Sequence, residues 1–157
     1  MSLHSYKHNM YEKTLNDYCD DIEKIELISF PIPDFGVKDD DKTVKFIEKL
    51  VKMILNMNNK EEKEEKKDND DNNRIYMHCW GGHGRSGLIS ALLLQAIYGM
   101  EVSTSIKFLN EIHKMRHPHE SDIDNGQYRM PESDEQMNQI ERLHETMLEI
   151  YAKNIKQ

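Results

Sequence analysis

The sequence predicts an α/β domain with a central, mostly parallel sheet flanked by helices, and three observations point there. Two short apolar runs, residues 25–30 and 74–79, end at prolines or glycines, as buried strands do. Each is followed by a stretch with apolar residues at helical spacing, and strands alternating with helices imply a parallel sheet. The 157 residues fit one domain, 1–157, with enough length for a real core.

Taken in order, residues 9–21 ("NMYEKTLNDYCDD") read as a weak helix with Tyr11, Leu15 and Tyr18 on one face. "KIELISF" gives a strand over Ile25–Phe30, stopped by Pro31 and Pro33. Thr43–Met57 is a helix whose stripe is Val44, Ile47, Val51 and Ile54. A low-complexity charged insertion, about 57–73, has almost no apolar side chain. It reads as a solvated extension of that helix and then a mobile loop. "RIYMHC" is a short apolar strand suited to the centre of a parallel sheet. Arg85–Tyr98 is apolar on most sides and should be a buried helix ended by Gly99. Val102–Met115 is another helix, with Val102, Ile106, Leu109 and Ile112 as its stripe and Ser103 or Thr104 as its cap. Residues 116–132 form a loop. A last helix runs from about Ser133 to Ala152 along Met137, Ile140, Leu143, Met147 and Ile150, opened by a Ser133–Gln136 capping box.

Composition excludes several classes. The net charge is −8, where a nucleic-acid surface should be basic. No apolar run approaches the roughly 20 residues that span a bilayer, and Met1–Met10 lacks the apolar core of a secretory signal. Neither a nucleic acid nor a membrane is expected as partner. Two cysteines, Cys19 and Cys79, make no disulfide framework, so a reducing cytoplasmic or nuclear setting is expected. His113, His117 and His119 lack the partner spacing of a zinc site and read as exposed polar residues at a helix end. No metal or cofactor is expected.

The chemistry concentrates in "RIYMHCWGGHGRSGLISALLL", residues 74–94. A strand, a glycine-rich loop and a helix in series make an anion site, because the glycines let amide N–H groups converge and the helix N-terminus adds partial positive charge. Trp80, Gly81, Gly82, His83 and Gly84 are the right length to curl around one tetrahedral oxyanion. Arg85 brings a fork that can hold two phosphate oxygens. Cys79 lies at the floor of the cup, where the same amides and dipole would stabilise a thiolate nucleophile. Trp80 is placed at the rim, with packing under the loop as the alternative. His83 either adds charge near a phosphate or points to solvent.

The stretch His-Cys-x5-Arg-Ser-Gly resembles the signature of the cysteine-dependent protein tyrosine phosphatases. "HCWGGHGRSG" is most similar to the small dual-specificity group, including the cyclin-dependent-kinase-associated phosphatases. The resemblance runs over about residues 9–150 and implies the phosphatase-like sheet; because only about ten residues precede the matching segment, either the sequence begins inside the domain or the sheet is reduced on its N-terminal side. It implies a metal-independent phosphomonoester hydrolase acting on phosphoprotein, on phosphotyrosine and also on phosphoserine or phosphothreonine, through a phosphocysteine intermediate. Asp34, in "FPIPDFGV", would be the general acid, with Asp39, Asp40 and Asp41 as rivals. Ser86 would help the thiolate leave, Gln136 would position water besides its capping role, and His78 would hold the cysteine. The alternatives are a phosphate-binding pseudophosphatase module and a phosphoinositide phosphatase, the latter hinted at by His83 alone. RNA 5′-triphosphatase chemistry is disfavoured by the acidic charge.

Overall fold

A computed structural model describes residues 26–61, 75–115 and 129–155, with only the main chain over 58–61. The helix expected over 9–21, with Cys19, lies outside the described residues. So do most of the charged insertion and residues 116–128 of the long loop.

The expected α/β architecture is not observed. The described residues form four helices and no strand: α1 (Asp40–Glu61), α2 (Gly84–Tyr98), α3 (Val102–Lys114) and α4 (Asp134–Ile155). In the described parts of the two runs read as strands, residues 26–30 and 75–79, each run contributes one isolated bridging residue, Ser29 and His78, and no ladder. The physical reasons lie in their surroundings. Pro31 and Pro33 remove two main-chain donors directly after Phe30. Ile75 and Tyr76 are exposed, whereas a central parallel strand is covered on both faces. What the runs report is the burial of single residues: Phe30 stacks on Phe46 at 3.9 Å between centroids, and Cys79 is buried in the core.

α2 is the centre of the fold and packs most extensively on α4, with α3 and α1 beside it. Its burial on most sides follows from its apolar composition: Leu88, Ile89, Ala91, Leu92 and Ala96 are all inaccessible. Gly99, in the left-handed region at φ 63°, ends it and donates its N–H to the Gln95 carbonyl. Fully burying a Leu or Ile contributes roughly 1.5–3 kcal/mol, so Leu88, Ile89 and Leu92 together outweigh any single polar contact in the site.

α1 begins three residues before the expected Thr43 because Asp39 caps it: its Oδ1 accepts the Lys42 N–H at 3.1 Å. The helix continues to Glu61, four residues beyond the expected Met57. Along α1, Ile47, Val51 and Leu50 are buried while Val44 and Ile54 are half-buried. In α3 the cap position is Glu101, without a side-chain cap bond, and not Ser103 or Thr104. The buried face of α3 is Ser105, Leu109 and His113, at i, i+4, i+8, so Ile112 is exposed and His113 is not. α4 runs three residues beyond the expected Ala152 and buries Gln136 and Gln139 beside Ile140, Leu143, Met147 and Ile150.

Two polar networks tie the helices. The Gln95 amide on α2 donates to Ser105 Oγ on α3 at 3.2 Å and accepts at Oε1 from His144 Nδ1 on α4 at 3.0 Å. On α3, Asn110 clamps both main-chain groups of Met130, donating to its carbonyl at 3.0 Å and accepting its N–H at 2.9 Å. That clamp fixes the segment 129–133 that leads into α4. No helix among the described residues is long and apolar enough to cross a membrane.

Candidate active site

Cys79 follows the extended run 75–78, is almost fully buried, and sits below the loop 80–83 that ends at the first turn of α2. Gly82 takes a positive φ of 79°, a conformation other residues adopt at a cost, and this turns its N–H back to donate to Cys79 Sγ at 3.2 Å. Ser86, one turn into α2, places its Oγ 3.4 Å from the same sulfur. Burial pushes the Cys79 thiol up. The Ser86 hydroxyl, the amides of Ser86 and Gly82 and the Arg85 charge pull it down, and they prevail: the thiol lies below its ordinary value. The N–H groups expected to converge on an anion thus already serve the sulfur.

Arg85 is buried, and its Nη2 lies 2.8 Å from Asp34 Oδ1. The turn that carries Asp34 explains how it gets there. Phe30 and Ile32 anchor the segment in the core, the Gly36 N–H donates to the Pro33 carbonyl at 3.2 Å, and Phe35 adopts a positive φ of 57°. Asp34 and Phe35 therefore project as the tip of a tight turn over the loop. The three rival aspartates separate from it. Asp39 caps α1, and Asp40 is held by Arg142 through Nε at 2.6 Å and Nη2 at 2.9 Å. Arg142 and the Gln139 amide keep the Asp40 carboxyl below its usual range against the opposing effect of burial. Among the described residues, Asp34 is the aspartate that lines the cleft at Arg85.

Gln136 is inaccessible, and its capping box forms in both directions: its N–H donates to Ser133 Oγ and its Oε1 accepts the Ser133 N–H, each at 3.2 Å. Oε1 also accepts the Glu132 N–H at 3.2 Å, and Nε2 donates to the Gly36 carbonyl at 3.2 Å. One amide thus joins the start of α4 to the turn that carries Asp34. It also backs the loop, since a Cβ on Gly84 would lie 3.0 Å from Gln136 Oε1 and from Glu132 Oε2. His78 reaches the main chain of the cysteine, with Nδ1 3.1 Å from the Cys79 carbonyl. Trp80 lies at the rim, 80 % exposed.

Two clefts meet at Cys79, Trp80 and Gly81. The smaller, about 160 Å³, lies between Asp34, Arg85, Glu132 and Gln136, and the larger, about 460 Å³, extends past Tyr76 and Ser90 to α3. Three features were missed from sequence. Glu132 stands in the smaller cleft, and its signal was adjacency to the capping box. His113 is buried, contrary to its reading as an exposed helix-end residue, and lines the larger cleft. His83 does not simply point to solvent: its Nδ1 lies 2.5 Å from His113 Nε2. Nothing local in the sequence signals a contact across thirty positions.

Comparison with known proteins gives two matches. Residues 13–145 match the family described as Swiss Army Knife protein, DSP-PTPase phosphatase domain (PTP-SAK). The chain is also 39% identical over 85 residues to a protein of Invertebrate iridescent virus 6 named "Putative tyrosine phosphatase 197R". That alignment covers 54% of this chain and 27% of the viral protein, so the chain spans about a quarter of the relative's length.

Proposed function

Because the chain belongs to the PTP-SAK family of DSP-PTPase phosphatase domains, we propose that it is a phosphoprotein phosphatase that works through a phosphocysteine intermediate. The observation that carries this reading is the Cys79 sulfur, lowered in pKa and bonded to Gly82 N–H and Ser86 Oγ at the base of a loop closed by Arg85. The viral relative's name is in line with it.

The steps follow from the chemistry of the groups. An incoming phosphate dianion takes the loop amides and the Arg85 fork, and Asp34, released from its pairing with that guanidinium, takes up a proton from solvent. Cys79 Sγ attacks phosphorus, the S–P bond forms and the P–O ester bond breaks. Asp34 gives its proton to the leaving oxygen. Water then attacks phosphorus, Asp34 takes a proton from it, and the S–P bond breaks with Ser86 Oγ hydrogen-bonded to the departing thiolate. Orthophosphate leaves, Asp34 returns its proton to solvent and pairs with Arg85 again, and the enzyme is restored. The loop amides and Arg85 stabilise the charge that develops on the equatorial oxygens. Trp80, Gly81, Gly82, His83 and Gly84 form the wall of the cup in this reading. Gln136 acts as the strut of the Asp34 turn, since its amide is committed to three main-chain partners, and this favours the strut over the water-positioning role.

The test is turnover of para-nitrophenyl phosphate and of a phosphotyrosine peptide by the full chain. Activity is expected without added metal and is abolished in Cys79→Ser. Turnover that survives Cys79→Ser, or that requires an added divalent cation, overturns the proposal.

A further inference from the structure

The mechanism above leaves one contact of the loop unused. His83 is the last residue before α2, and its carbonyl accepts the Gly87 N–H at 3.0 Å, which fixes its main chain to the helix. Its ring is held from two sides. On one side Nδ1 meets His113 Nε2 at 2.5 Å, with the rings edge to face and 4.6 Å between centroids. On the other side the ring lies against the main chain of Gly81, where an added Cβ would come within 2.9 Å of His83 Cδ2. His113 is itself fixed, only 4 % exposed on the buried face of α3. The two histidines line different clefts, so the pair bridges from α3 to the far wall of the loop. Gly82, whose N–H is aimed at the sulfur, stands in the chain between Gly81 and His83.

We propose that His113 is a positioning residue for the phosphate cup: through His83 it sets the Gly81–Gly82 main chain whose amides receive the oxyanion. Two imidazoles bonded nitrogen to nitrogen share one hydrogen, so one ring donates and the other accepts. The bond uses Nδ1 of one ring and Nε2 of the other, and this makes the proposal sharply testable. A glutamine amide nitrogen can stand where His113 Nε2 is, and an asparagine's cannot reach. The opposite holds for His83, where asparagine mimics Nδ1. The kinetic meaning of the proposal rests on the phosphatase reading, but its binding test does not.

The experiment titrates inorganic phosphate into the full chain by calorimetry and, in parallel, measures para-nitrophenyl phosphate kinetics and melting temperature. His113→Ala should weaken phosphate binding about tenfold, the size of one lost hydrogen bond, and raise KM more than it lowers kcat. His113→Gln should restore most of the affinity and His113→Asn should not, while His83→Asn should bind better than His83→Gln. The double variant His83→Ala/His113→Ala should bind no worse than the weaker single variant, because both remove the same link. Equal loss in the Gln and Asn variants of His113, or additive losses in the double variant, overturns the proposal. If His113→Ala fails to fold, the contrast between Gln and Asn carries the test. A wild-type chain that binds phosphate with this pattern but has no turnover refutes the phosphatase reading and leaves the pair standing. A chain that turns over without the pattern refutes the pair alone. A chain that neither binds phosphate nor turns over the ester refutes both.

Discussion

Replacing Ser86 with alanine tests the electrostatics of the cup at one atom. Ser86 Oγ lies 3.4 Å from Cys79 Sγ, and its hydroxyl is the foremost of the groups that lower the thiol against the opposing effect of burial. The variant removes that group and leaves the Gly82 N–H, the Ser86 main-chain N–H and the Arg85 charge in place. A hydrogen bond to a charged group is worth about 1.5–3 kcal/mol. One pKa unit corresponds to about 1.4 kcal/mol, so the Cys79 pKa should rise by about 1–2 units. The sign follows from the charge: the lost donor stabilised the thiolate, so the neutral thiol gains. The assay is the pH dependence of iodoacetamide alkylation, read at Cys79 by mass spectrometry so that Cys19 does not contribute. The midpoint should move to higher pH by that amount, and below the midpoint the rate should fall about tenfold per unit. The rate at high pH should stay level or rise slightly, because a more basic thiolate is the better nucleophile. An unchanged midpoint would show that the hydroxyl does not stabilise the sulfur and would refute the reasoning.

Three other variants probe the surrounding frame. Asp34→Asn should cut kcat on phenyl phosphate by about 100-fold, within the usual range for losing a general acid. It should also tighten orthovanadate binding, since Arg85 then loses the carboxylate that sits 2.8 Å from it; weaker vanadate binding would contradict that competition. Arg142→Ala should cost about 1 kcal/mol in urea unfolding, as expected for a partly exposed pair, and less at high salt. Because Asp40 is held below its usual range, the wild-type advantage should persist at neutral pH and fade as pH falls below about 4, through the native carboxyl's titration. Gln95→Leu leaves Ser105 and His144 without their shared partner in a buried site and should destabilise the chain by about 1–3 kcal/mol, measured by urea unfolding.

What could be read from sequence and what could not divide along a physical line. Cys79, Gly82, Ser86 and Arg85 lie within eight positions, so a single turn and the start of one helix bring them together whatever the rest of the chain does. Their mutual arrangement follows from local main-chain geometry, with Gly82 at positive φ as its pivot. The capping box of Ser133 and Gln136 is legible for the same reason, since its partners are three residues apart. The sheet was inferred from apolar runs, and that step failed because apolarity reports burial of particular residues and not strand pairing. Phe30 and Ile32 are buried by stacking and core packing while Pro31 and Pro33 between and after them withhold donors from any ladder. On α3 the expected Leu109 is buried and Val102 and Ile106 pack against the core, but Ser105 and His113 were overlooked because they count as polar in any hydropathy pattern, yet each is buried through a partner on another segment. Asp34, though exposed, likewise finds its partner far along the chain: its pairing with Arg85 crosses fifty-one positions. A motif therefore specifies the proposed nucleophile and anion cup, and only the packing of separate segments specifies what aims at them. That is why four aspartates were candidates in sequence, and Asp34 is the one of them beside Arg85 among the described residues. It is also why the imidazole that braces the loop, thirty residues away on another helix, left no local trace.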